Sequence, residues 1–186
     1  KLFGTFQEET LDNPPVYGIK KAAQSWNPFL INFMHITQLI KDTWNTKKIT
    51  DKIKIWYKKT GWRPADVTEK YPVTYVEDAK TQIKYRTETT PFLITWFFIQ
   101  VILHIAIQFH FLQILPVMDY SGLLLYGLVF GISVFAYTSL MDRSWIALPF
   151  EIVKCTIGFW ILYNTSDWFT LNETFGMSTI VVAIYF

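Results

Sequence analysis

The sequence predicts an all-α fold: a multi-pass helical membrane protein with a helical N-terminal region on the cytoplasmic membrane surface. Composition is the first observation, because 51% of the 186 residues are hydrophobic and 17% are charged, whereas soluble domains average about 25% charged residues. The second is a run without any charged residue from Pro91 to Met118, longer than the apolar stretch of about 20 residues that spans a bilayer. The third is uneven charge: residues 1–90 hold 15 Lys/Arg and 10 Asp/Glu, and residues 91–186 hold 2 and 5. These observations exclude a single soluble domain and an intrinsically disordered chain.

Two amphipathic helices are predicted within residues 1–90, the cytoplasmic or interfacial region. Ser25 is a candidate N-cap for the first helix, whose apolar positions recur at helical spacing as far as Ile40. The second helix is expected to begin near Thr50 and to end at Gly61, because glycine commonly terminates helices. The lead-in before the first helix and the polar stretch after the second are expected to be irregular or extended.

Residues 91–186 are predicted to form a transmembrane bundle. Membrane helices are expected at about 91–115, 120–140 and 146–163, followed by a partial fourth helix from about residue 175. The segment from Gly176 to the last residue would rise only about 16 Å as a helix, whereas the hydrocarbon core is about 30 Å thick. We therefore expect the sequence to stop within a longer helix and to be a fragment of a larger protein.

Charge bias at the loops predicts the orientation of this bundle. The basic N-terminal region and the loop around Arg143 are expected in the cytoplasm, since the loops at 116–119 and 164–174 contain no Lys or Arg. Asn164 and Asn172 begin two Asn-x-Ser/Thr sequons on the predicted outer loop, which fits a glycosylating host. The predicted localisation is integral to a membrane: the bacterial inner membrane or, in a eukaryote, the endoplasmic reticulum.

A basic segment with interspersed apolar residues lies between residues 47 and 63. It holds seven Lys/Arg and one acidic residue, Asp51. Basic amphipathic helices near a bilayer typically lie on anionic headgroups, so docking on the membrane surface is the favoured interpretation. An ordinary solvated face and nucleic-acid binding are the alternatives. The predicted membrane-surface residues are Lys47, Lys48, Lys52, Lys54, Trp56, Lys58, Lys59 and Arg63.

Polar residues inside the first predicted span are further candidates, because such residues normally face other helices or a cavity. Gln100, His104 and Gln108 recur every four residues and are expected to share one face, with His110 off that face. They either line a path for substrate or protons, or hold the helices together by hydrogen bonds.

The third predicted span carries an acid and a base, Glu151 and Lys154. Because they are three residues apart, they are expected to pair on one helix face, as a structural pair or as a functional one. Cys155 is expected to be a small buried apolar residue, and a single cysteine excludes an intrachain disulfide. The three histidines are far apart in the sequence, and no Ser-His-Asp set, phosphate loop or EF-hand occurs. The residues alone therefore show no complete active site.

Five strings in the sequence are distinctive: KLFGTFQEE at 1–9, PVYGI at 15–19, SWNPF at 25–29, TGWRPADVTEKYP at 60–72 and LMDRSWIALPFEIVKC at 140–155. They closely resemble the fatty acid hydroxylase superfamily, and more narrowly the C-terminal region of sterol-desaturase-like proteins and alkylglycerol monooxygenase. The resemblance implies an integral membrane oxygenase in which histidine clusters, HxxxH and HxxHH, hold two irons. These irons activate O2 to hydroxylate or desaturate a lipid, and the alkylglycerol branch also uses tetrahydrobiopterin.

None of those histidine clusters occurs in this sequence. The resemblance therefore implies that the catalytic histidines lie upstream of residue 1, that this segment binds no cofactor, and that no ligand role carries over to His35, His104 or His110. The expected function is that of the C-terminal portion of a di-iron lipid oxygenase, which supports the bundle and the lipid site. Its expected partners are the bilayer, a lipid substrate and the N-terminal di-iron half, with no nucleic acid. A stand-alone, non-enzymatic membrane scaffold or transporter subunit is the alternative.

Overall fold

The structure, a computed structural model, describes residues 21–76, 82–176 and 178–186. Within these ranges the chain is helical and has no β-strand, so the predicted all-α class is confirmed there. The two N-terminal strings of the family resemblance, and most of the predicted irregular lead-in, lie outside the described residues.

The chain divides into two compact units. Among the described residues, unit 1 contains residues 21–24 and those of His35–Tyr85, and unit 2 contains Ser25–Met34 and those of Arg86–Phe186. The predicted domain boundary at residue 90 lies close to the second junction between the units. The short segment Ser25–Met34 belongs to unit 2, although the sequence-based division placed it in the N-terminal region.

Helix α1 is Pro28–Asn32, and its N-cap is Asn27 rather than the predicted Ser25. Asn27 Oδ1 accepts hydrogen bonds from the first two free amides of the helix at 2.9 and 3.3 Å, which is the usual role of an N-cap. The Ser25 hydroxyl instead donates to the Asp142 carboxylate at 2.5 Å. A tertiary partner therefore takes the side chain that the sequence pattern assigned to the cap.

Unit 1 contains helices α2 (Met34–Asn45), α3 (Ile49–Lys54) and α4 (Ala65–Lys70). Helix α3 begins one residue before the predicted start but ends at Lys54, well before Gly61. In the turn that follows, the amides of Trp56 and Tyr57 donate to carbonyls three residues earlier instead of four. Helix α4 lies in the stretch that was predicted to be irregular. Its signal in the sequence is Pro64, followed by an acid in the first helical turn, both favourable at a helix start.

A buried ion pair joins α2 to the loop before α4. Arg63 Nε and Nη2 donate to the two carboxylate oxygens of Asp42 at 2.6 and 2.8 Å, and Asp42 is 3% exposed. Burial by itself raises the pKa of Asp42, but hydrogen bonds from Arg63 and Gln38 outweigh it, so the pKa lies below its ordinary value. The hydrogen bond to Asp42 raises the pKa of Arg63. Because Asp42 points inward with its charge neutralised, α2 continues beyond the expected end of its apolar face.

Unit 2 is built on three long helices. They are α5 (Pro91–Ile114), α6 (Tyr120–Met141) and α7 (Ala147–Thr165), and their bounds lie within two residues of the predicted spans. Thr90 and Asp119 cap α5 and α6 with their side chains. The pKa of Asp119 is lowered first by the hydrogen bond from the Ser121 hydroxyl and then by the Gly122 amide.

Two short helices, α8 (Leu171–Phe175) and α9 (Thr179–Tyr185), close the bundle. Helix α6 packs along α7 and α5, and α9 packs on α7. The core includes Trp168, which lies in the loop before α8 and is fully buried against Tyr126 of α6. The partial fourth helix was expected from about residue 175; the structure has α9 there, after the turn that follows α8.

Two segments of the described chain are long and apolar enough to cross a membrane: Pro91–Val117 and Tyr120–Met141, with mean hydropathies of 2.0 and 1.9. Only 11% of the most apolar window of the first is buried inside the protein, and 39% of the second. A core helix of a soluble protein would be mostly buried. Helix α7, the third predicted span, is long enough but is not among these candidates; it contains the charged residues Glu151 and Lys154.

Candidate functional site: a buried polar cluster and an apolar cavity

Lys154 is the centre of a polar cluster inside unit 2. Its side chain is 1% exposed, and its Nζ lies 2.6 Å from Glu151 Oε2 and donates to Gln100 Oε1 at 3.2 Å. Nζ also lies 5.1 Å from the ring centroid of Tyr185. A buried cation needs both a counter-charge and hydrogen-bond acceptors, and α5, α7 and α9 together supply these groups. The cluster therefore joins three helices through one ammonium group.

His104 extends this cluster along α5. Its Nδ1 lies 3.1 Å from the Tyr185 hydroxyl, and its ring packs on Phe130 at 4.0 Å and on the edge of Tyr137 at 5.7 Å between centroids. Gln100 and His104 are both buried, as the sequence predicted for a polar face. These contacts hold the helices together.

The structure corrects the third member of the predicted face. Gln108 is exposed, whereas His110, predicted to lie off the face, is completely buried. The buried positions of α5 are three or four residues apart: Gln100, His104, Ile107, His110 and Ile114. A strict four-residue repeat drifts around a helix of 3.6 residues per turn, so the repeat moves Gln108 out of the interface.

His110 forms a second polar group with Tyr126 of α6. Its Nδ1 lies 3.0 Å from the Tyr126 hydroxyl, and that hydroxyl donates to the Ile107 carbonyl at 3.0 Å. Because the single hydroxyl hydrogen is used on the carbonyl, Nδ1 of the histidine must carry the hydrogen of the shared bond. Nε2 is then an acceptor, and it is buried without a hydrogen-bond partner among the described residues.

A cavity of about 250 Å³ lies between α5, α8 and α9. Its walls are almost entirely apolar, and it is open on one side. Even a dry apolar cavity of about 150 Å³ accepts a molecule the size of benzene, so this one has room for several methylene groups. It is lined by Leu103, Ala106, Ile107, Phe109, His110, Leu171, Phe175, Val181, Val182 and Tyr185.

Sequence reasoning missed the tyrosines that complete both polar groups. Tyr126, Tyr137 and Tyr185 are all buried, and each contacts a histidine of α5. A tyrosine within an apolar helix is itself a signal, since its hydroxyl requires a partner when it is buried. Cys155, expected to be buried, is half-buried, and its thiol donates to the Phe186 carbonyl at 2.7 Å.

The basic segment of unit 1 divides into two groups. Lys47, Lys48, Lys58 and Lys59 are exposed, as is Trp56, and Lys52 is half-buried. Arg63 instead binds Asp42 and also donates to the Tyr71 carbonyl at 3.0 Å, while Lys54 lies 3.4 Å from Asp51. The structure thus removes Arg63 from the predicted membrane-surface set, because its guanidinium is committed inside unit 1.

The described residues do not fit a di-iron site. Among them, no group of three or more His, Cys, Asp or Glu side chains comes together to hold a metal ion. His104 and His110 each pair with a tyrosine hydroxyl in unit 2, and His35 is exposed on α2 in unit 1. Imidazole-rich iron centres need several converging ligands, and His35, His104 and His110 do not converge.

Comparison with known proteins found no matching family model, no similar curated protein and no similar solved structure. The strings quoted above and the geometry of unit 2 are therefore what supports a function.

Proposed function

We propose that this chain is the C-terminal portion of a membrane-bound lipid oxygenase of the fatty acid hydroxylase type. In this proposal unit 2 spans the bilayer and holds the apolar part of a lipid, and the iron-binding histidines belong to a segment upstream of residue 1. The five sequence strings support the family. The exposed apolar surface of α5 and the cavity beside it support the lipid role.

Helix α5 presents large apolar side chains on its outer side. Phe92 is 79% exposed, and Phe98, Ile102 and Phe109 are each more than half exposed. Leaving such a side chain in water costs about 1.5–3 kcal/mol relative to burying it, whereas lipid chains solvate it. At 24 residues, α5 is about 36 Å long, enough to cross a hydrocarbon core of about 30 Å.

A multi-pass arrangement, with α7 as a third span, is part of this proposal. Helix α7 has 19 residues and is therefore about 28 Å long. Its charged pair is compatible with a position inside the bilayer, because Lys154 is turned into the bundle and neutralised by Glu151. The membrane is the bacterial inner membrane or the endoplasmic reticulum, and the Arg143 loop lies on the cytoplasmic side.

The cavity is the observation that carries the lipid function. It lies beside the lipid-facing side of α5, its walls are apolar, and its volume fits part of an acyl chain better than it fits a polar substrate. A non-enzymatic scaffold would have no need of such a cavity, since filling it with side chains would stabilise the bundle.

The test compares two purified proteins. The complete gene product, including the segments that flank this chain, should retain iron and consume O2 when given alkylglycerols, sterols or fatty acids with a reduced pterin or another reductant. The 186-residue chain alone should retain no stoichiometric iron, because its described side chains do not converge on a metal. Elemental analysis and product analysis by mass spectrometry check both statements.

Two results would overturn this assignment. A complete gene product without iron and without lipid oxidation would favour the non-enzymatic scaffold. Two irons bound by the 186-residue chain alone would show that the iron ligands lie within this chain.

A further inference from the structure

Unit 1 exposes a row of large apolar side chains along α3 and the turn that follows it. Ile49 is 76% exposed, Ile53 is 61% exposed and Trp56 is 55% exposed. Ile49 and Ile53 are four residues apart and share one face of α3, and Trp56 follows them in the turn after the helix, where its amide donates to the Ile53 carbonyl at 3.2 Å. We call these three residues the interfacial row.

The opposite side of α3 already supplies the contacts of unit 1. Ile55 is 4% exposed, and Asp51, four residues earlier, is largely covered and lies 3.4 Å from Lys54. The interfacial row therefore takes little part in the packing of α3 within unit 1. Exposed apolar residues that cluster on one face typically mark a surface for a partner or a membrane.

Lysines surround the row. No ion pair in the described part of the chain involves Lys48, Lys52, Lys58 or Lys59, and Lys47 beside them is also exposed. The two remaining basic residues of the segment, Lys54 and Arg63, are held by acids of unit 1. Positive charge is thus concentrated around the apolar row, since these four lysines form no ion pair within the described residues.

We propose that this face of unit 1 docks on an anionic lipid bilayer. The interfacial row enters the boundary between headgroups and acyl chains, and the lysines around it bind anionic headgroups. Apolar residues flanked by lysines are the pattern of helices that lie in the membrane interface, and a Trp is favoured at headgroup depth.

A bilayer suits this surface better than a nucleic acid does. Sequence-independent binding of single strands uses aromatic side chains on which bases stack, whereas two of the three residues in the row are isoleucines. An isoleucine contributes nothing to phosphate binding, but it gains free energy when it leaves water for lipid.

The test uses the full chain in lipid nanodiscs, with an environment-sensitive fluorophore on a cysteine at position 53. The variant is Ile53→Cys in a Cys155→Ala background. In discs that contain phosphatidylserine, the emission should shift to the blue, and brominated acyl chains should quench it. In discs of phosphatidylcholine alone, or at high salt, both effects should weaken, because salt screens the lysines.

Two triple variants have matched charge. Lys52→Gln, Lys58→Gln and Lys59→Gln together should reverse the shift, since each lysine near an anionic surface changes the ratio of docked to undocked chains about fivefold. The control triple Lys41→Gln, Lys70→Gln and Lys84→Gln removes the same charge from other parts of unit 1 and should leave the shift in place. A fluorophore at Glu69→Cys on α4 should not respond to the lipid. Unchanged hydrogen exchange around the Asp42–Arg63 pair shows that unit 1 is still folded in every variant.

Three outcomes would overturn the proposal. Equal emission in anionic and neutral discs would show that lipid charge does not recruit the face. An equal loss in both triple variants would show a general charge effect without a specific surface. A blue shift produced by single-stranded RNA in neutral discs would identify a nucleic acid as the ligand.

Discussion

Lys154 shows how a single side chain ties the helices of unit 2 together. Its ammonium group is buried and is surrounded by the Glu151 carboxylate, the Gln100 amide oxygen and the Tyr185 ring. Breaking a buried ion pair by removing one partner costs about 3–5 kcal/mol, whereas replacing both partners by apolar residues is often neutral. A single substitution in this pair is therefore expected to destabilise unit 2, whereas a double apolar substitution should leave its stability nearly unchanged.

We expect Glu151→Gln to lower the free energy of unfolding of unit 2 by about 3–5 kcal/mol, because it leaves the buried ammonium without a counter-charge. The double variant Glu151→Leu with Lys154→Met should recover most of this loss. Denaturation in detergent, followed through tryptophan fluorescence, measures both. A Glu151→Gln variant as stable as the parent would show that Gln100 and Tyr185 suffice to hold the cation.

Asp42 makes the stability of unit 1 depend on pH. Its pKa in the folded chain lies below the ordinary value, so its stabilising effect is fully present above the unfolded-state pKa of about 3.9. That effect is lost as the pH falls through the lower, folded-state pKa. The exposed Asp66, whose pKa is lowered first by the backbone amide of Lys47, adds a contribution of the same sign.

We therefore expect unit 1 to lose stability as the pH falls below about 5, where the unfolded-state carboxylates begin to bind protons. Asp42→Asn should be less stable at neutral pH because it leaves Arg63 without its counter-charge, and its stability should fall less on acidification. Urea denaturation at a series of pH values gives the comparison. Since Asp66 titrates in both proteins, the difference between the two curves isolates Asp42. Parallel curves would contradict the assignment.

At the scale of the elements, the placement of α7 determines how many helices of unit 2 span the membrane in the proposed arrangement. Helix α7 lies along α6, and Lys154 of its charged pair is buried in unit 2. Trp145 precedes the helix and Asn172 lies on α8, which follows it; both residues are exposed. If α7 spans the membrane, these two residues lie on opposite sides.

Single cysteines at Trp145→Cys and Asn172→Cys, each in a Cys155→Ala background, should test this arrangement. An impermeant thiol reagent applied to sealed vesicles should label one position only, because a spanning α7, about 28 Å long, lies between the two positions in the chain. Lysed vesicles should label both, which serves as the control for accessibility. Labelling of both positions from one side of sealed vesicles would exclude α7 as a span.

At the scale of the whole molecule, the proposed lipid role depends on a cavity to which α5, α8 and α9 each contribute wall residues. Each of these helices, taken alone, has an ordinary apolar side. Only their packing leaves a space of about 250 Å³ open at the side of the bundle. Filling that space should exclude a lipid chain without disturbing the membrane surface elsewhere.

We expect a phospholipid with a photoreactive acyl chain to label residues of α8 and α9 that line the cavity. Ala106→Phe should reduce this labelling, because the added ring occupies the cavity. Gly127→Phe is the matched control: it adds similar bulk to α6 at a position where a new Cβ meets nothing within 4 Å. Peptide mapping by mass spectrometry gives the labelled sites. Equal labelling in both variants would show that the cavity holds no lipid chain.

The sequence by itself determined the long helices of unit 2. An uncharged run with Thr90 before Pro91 predicts where α5 begins, because a cap and an N-terminal proline are local signals. The acid and base of α7 were likewise predictable as neighbours, since a spacing of three residues places them on one helix face. Local chain geometry is enough for such features.

Tertiary structure decided which polar side chains face inward. On a helix of 3.6 residues per turn, Gln108 and His110 lie about 80° to either side of Gln100, so periodicity alone does not choose between them. Tyr126 of α6 accepts a hydrogen bond from His110 and thereby selects it. Arg63 is a similar case. In the sequence it lies in the same basic segment as the lysines, but its ion pair with Asp42, which is far from it in the sequence, buries its guanidinium. Contacts between residues distant along the chain depend on how the helices pack, and no local pattern encodes them.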